Sequence, residues 1–189
     1  MKYCLLAGML FCSALLYGEE RQIDLLVSLD PFTELRLSYA RSPSFTGGWV
    51  SREQRRDLLE DYKKDPNLFL VNAQKWLKEC PVDANMHLML ADLMRERSKL
   101  AQAVFHRHRF YGLLQSIVGN KTGESKDQAF VIISADEVHT VLNYFQAKLL
   151  EQKLEYPFDM MKVTIHGKEK TLYFDVSIPF KAIQNRTSQ

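Results

Sequence analysis

The sequence predicts an α+β fold, with helical hairpins in the N-terminal part packed against a small antiparallel sheet that carries one further helix. Three observations predict it. Phe69, Ala73, Trp76, Leu77 and Cys80 recur at helical spacing and gather on one face. Met161, Val163 and Ile165, then Leu172, Phe174, Val176 and Ile178, alternate with polar residues on either side of His166–Glu169, the pattern of a β-hairpin with one buried face. Between the halves, Gly119–Lys126 is polar and glycine-bearing and reads as a loop. The helical half is expected over about 30–118 and the sheet-bearing half over about 128–180, both within one domain spanning 19–189.

The chain opens on MKYCLLAGMLFCSALLYG, in which Lys2 precedes an apolar run from Tyr3 to Tyr17, and Gly18 is followed by Glu19 and Glu20. That is the pattern of a secretory signal peptide over 1–18. The run is short for a membrane span, which needs about 20 apolar residues. Phe11 rather than a small residue precedes Cys12, so no lipid-anchoring motif is evident. Removing 1–18 from 189 residues leaves 171, enough for one domain with its own core. Removal of Lys2 also takes the charge balance from 25 basic and 23 acidic residues to 24 and 23, which offers no electrostatic footprint for nucleic acid. Cys4 and Cys12 leave with the leader, so Cys80 remains alone and no internal disulfide is expected.

Asp30-Pro31 starts a first helix, running to about Ala40, because the aspartate caps and the proline occupies a position whose N–H needs no partner. Ser42–Gly48 breaks periodicity as a loop. Ser51 to Gln54 reads as a capping box opening a second helix. Asp65-Pro66 opens a third, which Pro81 ends. Ala84, His87, Leu88, Ala91 and Met94 set out the apolar face of a fourth after a turn through Val82 and Asp83. A fifth follows Ser98, with Leu100, Ala103, Val104, Tyr111 and Leu114 as its apolar face. Ala129 to Ile133 is a short buried strand. Ser134 to Glu137 is a second capping box, launching a helix through Val138, Val141, Leu142 and Phe145. Leu149 to Leu154 is either one more strand or a continuation of that helix.

Several segments together resemble a known family: Phe32–Arg36 with Tyr39-Ala40 and Pro43; Pro81–Asp83 with His87; Gly112–Ile117; Ala129–Ser134 with Asp136-Glu137; and Leu172–Asp175. The resemblance is to an uncharacterised family of exported bacterial proteins, a domain of unknown function whose helical half is similar to tetratricopeptide repeats. It covers about 30–180. It implies an exported protein and a TPR-like helical part, and it implies no activity, cofactor or ligand. Two positions depart from the family pattern: Asn120-Lys121-Thr122 stands where members tend to carry an aspartate between glycines, and Glu137-Val138-His139 where they tend to carry Glu-Glu-Tyr. Solenoids are usually stabilised by at least three stacked units, so the sheet is expected to close a short stack.

No catalytic motif emerges. In His106-Arg107-His108-Arg109 the two histidines point about 200° apart on a helix, so one ion cannot easily take both, and metal ligands normally sit three or four residues apart. His106 and His87 read better as packed, hydrogen-bonded histidines. Cys80 lies near a helix C-terminus, where the dipole opposes a thiolate, and reads as an inert core thiol. Gly119–Gly123 contains Lys121-Thr122 but lacks the glycine spacing and the strand-to-helix context of a phosphate loop. Asp136 and Glu137 have an ordinary use in complementing a helix dipole. Asn120 and Asn185 head glycosylation sequons, which carry meaning only in a eukaryotic secretory pathway.

The candidate partner-binding residues are Phe45, Trp49 and His106. Phe45 and Trp49 flank Gly47-Gly48 in an expected loop, where an aromatic either anchors a partner or tucks beneath the second helix. The function expected is a non-enzymatic protein- or peptide-binding module of the bacterial envelope, periplasmic or secreted, with no cofactor and no metal. Two alternatives stay open. One is an envelope enzyme whose site forms only in three dimensions, with His106, His139 and Asp136 as participants. The other is an inhibitor or immunity protein for a secreted enzyme.

Overall fold

The computed structural model describes residues 30–187 apart from 44, 46 and 48, so the leader expected over 1–18 lies outside the described residues. The helical half contains α1 (Pro31–Ala40), α2 (Trp49–Lys64), α3 (Pro66–Glu79), α4 (Ala84–Glu96) and α5 (Leu100–Val118). The second half contains β1 (Phe130–Val131), α6 (Ala135–Tyr144), β2 (Lys148–Glu155), β3 (Phe158–Ile165), β4 (Lys168–Asp175) and α7 (Ser177–Thr187). Helices thus precede a four-stranded sheet, and the fold is α+β.

Three helix starts follow from local chemistry. Asp30 Oδ2 accepts the Thr33 N–H at 3.1 Å, with Pro31 in the first turn. Asp65 Oδ1 accepts from Asn67 and Leu68, again ahead of a proline, and Asp83 Oδ1 accepts from Met86. Each satisfies a backbone donor that has no partner inside its helix. The two expected capping boxes do not form as such. α2 begins at Trp49, two residues ahead of Ser51, and Ser134 makes no side-chain cap bond at α6. Glu137 instead accepts the Ile133 N–H at 2.8 Å, one residue before the cap.

α5 also differs from expectation. Its buried face is Ala103, Phe110, Leu113, Leu114, Ile117 and Val118, whereas Leu100, Val104 and Tyr111 face outward. The helix is apolar on two sides, and only one of them is covered.

The sheet runs β1-β4-β3-β2. β2, β3 and β4 are antiparallel neighbours, while β1 pairs with β4 in parallel, Phe130 against Phe174, so the sheet is mixed rather than wholly antiparallel. The β3–β4 turn is His166-Gly167, both with positive φ (48° and 77°) between the paired Ile165 and Lys168, the two-residue geometry that suits the twist of a hairpin. Leu149 to Leu154 is strand. The expected alternation ended one element too late, since Ile178 belongs to α7, whose first N–H, that of Ser177, is accepted by Asp175 Oδ1 at 2.9 Å.

Two cores result. Leu58, Phe69, Ala73, Trp76, Met86, Leu90 and Met94 bind α2, α3 and α4 together. Phe110, Leu113, Ile117, Phe130, Ile132, Val141, Val163, Leu172 and Phe174 join α5 and α6 to the sheet. α4 and α5 pack along their lengths and contribute to both.

Candidate functional site

The polar side chains of the molecule converge where α1, the α3–α4 turn and the start of α6 meet. A narrow cleft there is lined by Tyr39, Phe45, Cys80, Asp83, Asp136 and Thr140, and its volume of about 30 Å³ has room for about two waters. Asp83, held by its cap bond to Met86, also accepts the Trp76 Nε1–H at 3.0 Å. Arg55 reaches across from α2, donating through a terminal nitrogen to Asp136 Oδ1 at 3.2 Å. Its Nε stands 3.0 Å from Asp83 Oδ2, but the N–H is not aimed at that oxygen; the contact is Coulombic and the buried Nε–H has no acceptor. One guanidinium thus ties two carboxylates from different elements.

Tyr39 and Cys80 share a hydrogen bond in this cleft. Burial first, then the negative charge of Asp83, pushes the Cys80 thiol up to about 12, and burial likewise raises the Tyr39 phenol. A thiol kept neutral at neutral pH is a poor nucleophile. The cleft therefore presents groups already engaged with one another.

Directly behind it lies a pair that the sequence reading missed. Arg36, 3 % exposed, donates to Glu137 through Nε at 2.8 Å and NH2 at 2.7 Å, to the Ser116 carbonyl at 2.9 Å and to the Val131 carbonyl at 3.0 Å. These bonds clamp α1, α5, β1 and α6. Glu137 also accepts the Ile133 N–H, so its three hydrogen bonds all hold structure. An arginine between Leu35 and Leu37 was the available signal; its partner is 101 residues away.

His106 meets His87 rather than His139 or Asp136: the two Nδ1 atoms are 2.9 Å apart, and His87 Nε2 is 3.3 Å from the Pro81 carbonyl. Because a carbonyl only accepts, His87 carries its proton on Nε2 and accepts at Nδ1, which places a proton on His106 Nδ1. Burial and the neighbouring His106 lower the His87 pKa to about 4; burial and Arg109 lower that of His106. His139 is exposed, and Asp136 is engaged by Arg55. The three residues named for an enzyme site are not brought together. Among the described residues no group of three His, Cys, Asp or Glu side chains is placed to hold a metal ion.

Phe45 is buried, edge-on to Tyr39 at 5.8 Å between centroids, so it packs the cleft and is not an exposed anchor as expected. Trp49 opens α2 rather than sitting in a loop, and its side chain lies outside the described residues.

The exposed apolar surface lies on α5 instead. Leu100 (65 %), Val104 (68 %), Phe105 (52 %) and Tyr111 (51 %) stand on its outer side. Leu100, Val104 and Tyr111 fall within about 40° of one another around the helix, whereas Phe105 and Arg109 lie about 100° to 180° round from them; there the Arg109 guanidinium lies 5.5 Å from the Phe105 ring centroid and 5.8 Å from that of Phe32, which His108 meets edge-on at 5.4 Å. Among the described residues no carboxylate pairs with Arg109. Phe32 is seated directly over Gly112, where a Cβ would fall inside the ring's van der Waals shell. One side of the helix thus combines two aromatic faces with a cation held between them, and another carries the exposed apolar strip of Leu100, Val104 and Tyr111. The sequence concealed it because Leu100, Val104 and Tyr111 obey helical periodicity and were assigned to a core.

A family model described as "Domain of unknown function (DUF4919)" matches residues 18–185, and the chain belongs to that family. No curated protein and no solved structure matches it.

Proposed function

We propose that this DUF4919 member is a non-enzymatic binding module of the bacterial cell envelope, which takes an apolar, carboxylate-bearing segment of a protein partner on the outer face of α5. The observation that carries the reading is the Arg109 cation held against the rings of Phe32 and the exposed Phe105, with a separate exposed strip of Leu100, Val104 and Tyr111 on the same helix. Contiguous exposed apolar surface flanked by polar groups is characteristic of interaction sites. A guanidinium stacked on aromatic rings retains outward N–H donors for a carboxylate. The cleft supports the same reading from the other side, since Arg55, Asp83, Asp136, Arg36 and Glu137 are occupied with one another. The leader over 1–18 is the basis for export, and the helical pairs α2–α3 and α4–α5 supply the TPR-like frame.

The test is crosslinking capture from an envelope fraction with mature protein (19–189), compared with Phe105→Asp and Arg109→Glu. The expected result is a defined partner whose recovery falls about tenfold or more in each variant, as at an interface anchor. Equal recovery by the variants overturns the α5 site. No partner at all, together with turnover of a defined small molecule, overturns the binding function.

A further inference from the structure

β2 is the long edge strand of the sheet, opposite the two-residue edge strand β1, and its side chains do not suit an edge left in water. All eight of its residues are exposed. Pairing with β3 assigns their faces. Leu149, Gln152 and Leu154 stand opposite Val163, Met161 and Asp159, which are buried on the inner face of the sheet. Lys148, Glu151, Lys153 and Glu155 take the outer face, and Leu150 sits at the bulge between them. The inward leucines nevertheless remain 43 % and 50 % exposed. The helical layer buries the inner faces of β3 and β4 and stops short of β2.

We propose that the free edge of β2 pairs antiparallel with β2 of a second copy of this chain, in the register that sets Gln152 opposite its counterpart on a twofold axis. The charges select this occupant. The outer face reads Lys, Glu, Lys, Glu, neutral in sum and alternating in sign. With Gln152 on the axis, Glu151 faces Lys153 of the other copy and Lys153 faces Glu151. Centring on residue 151 sets Glu151 against itself, and centring on 153 sets Lys153 against itself and Glu151 against Glu155. Centring on Leu154 does set Lys153 against Glu155, but it carries residue 151 past Glu155, where the partner's strand ends, and leaves only residues 153–155 paired. Directly opposed like charges destabilise a strand pair and opposite charges stabilise it. Alternating charge on an edge also repels indiscriminate pairing, so the edge is closed to most strands and open to its own copy. In this register Leu150 and Leu154 of the two copies meet.

The proposal is tested on the whole mature protein by sedimentation over a concentration series. A dimer is expected, weakened about tenfold or more by Glu151→Lys and by Lys153→Glu singly, and restored by the two together, because the double swap recreates opposite-sign pairs. Gln152→Cys is expected to give a disulfide-linked dimer on mild oxidation, since directly opposed residues lie within the Cα separation that a disulfide spans. Lys148→Cys, which does not face itself, is expected to give none. A wild-type protein that stays monomeric into the millimolar range overturns the proposal. So does a dimer indifferent to both single swaps.

Discussion

Arg36 carries a guanidinium into a site 3 % exposed, and four of its N–H groups end on acceptors: two on Glu137, one on Ser116 and one on Val131. Fork-to-fork pairing is the strongest arrangement open to two side chains, but its net worth is small, because both charges are taken out of water. The asymmetry appears when one partner is removed. Arg36→Met leaves an uncompensated carboxylate, and Glu137→Ala an uncompensated guanidinium; each is expected to cost about 3–5 kcal/mol. Replacing both with apolar residues of similar volume should recover most of that loss. Urea denaturation of the two single variants and the double measures it; single-variant losses below about 1 kcal/mol would mean the pair does not carry the junction. At the same scale, the cleft shows how geometry withdraws groups from chemistry. Cys80 and Tyr39 bond each other under burial, and Arg55 ties Asp83 to Asp136, so residues that look reactive in a list are already partnered.

At the scale of elements, the contacts of α1 include the Phe32 ring lying on Gly112 of α5 and Arg36 below it, with Leu35, Tyr39 and Ala40 packed on the core. Gly112→Ala is expected to lift Phe32 off the helix, loosen its contact with His108, and cost about 1–3 kcal/mol, as overpacking does. A chemical denaturation midpoint and the His108 proton shifts report it; unchanged values for both would refute the seat. Which elements the sequence disclosed follows from the range of the forces that form them. Asp30 and Asp65 were readable as caps because a cap bonds within three residues; Asp83, read as part of a turn, caps in the same way. Glu137 mimicked a capping-box glutamate yet bonds Ile133 and a helix far upstream, and nothing local distinguishes the two uses. β2 stayed undecided because a bulge at Leu150 breaks its alternation and its apolar face is not buried. α7 was missed because the period of two runs on through Val176 and Ile178 and masks the start signal of Asp175, whose Oδ1 accepts the Ser177 N–H. The α5 patch was hidden for the converse reason: periodicity shows which residues share a face and is silent on whether anything covers it.

For the whole molecule, two buried titratable groups act on stability in opposite directions as pH falls. His87 has its pKa lowered to about 4 by burial and by His106, against an ordinary value of about 6.5. Below that ordinary value the unfolded chain takes up a proton that the folded chain refuses, so stability falls between about pH 6.5 and 4, by an amount on the order of 3 kcal/mol. Asp159 opposes this. Its carboxyl is 8 % exposed, with Oδ2 taking the Gln152 amide at 2.7 Å and Oδ1 without a partner, and burial raises its pKa. The folded state then binds a proton more tightly than the unfolded state, so this group adds stability as pH falls through its raised value. These two oppose each other in the acid slope, and the lowered His106 adds to it in the same direction as His87. His87→Gln, which keeps an amide donor toward the Pro81 carbonyl, is expected to flatten the loss between pH 6.5 and 4. Asp159→Asn removes the opposing contribution and is expected to steepen it. Urea midpoints at half-unit intervals from pH 7 to 4 resolve both changes, and curves for the two variants that run parallel to the wild type would show that neither burial sets the acid limit of the fold.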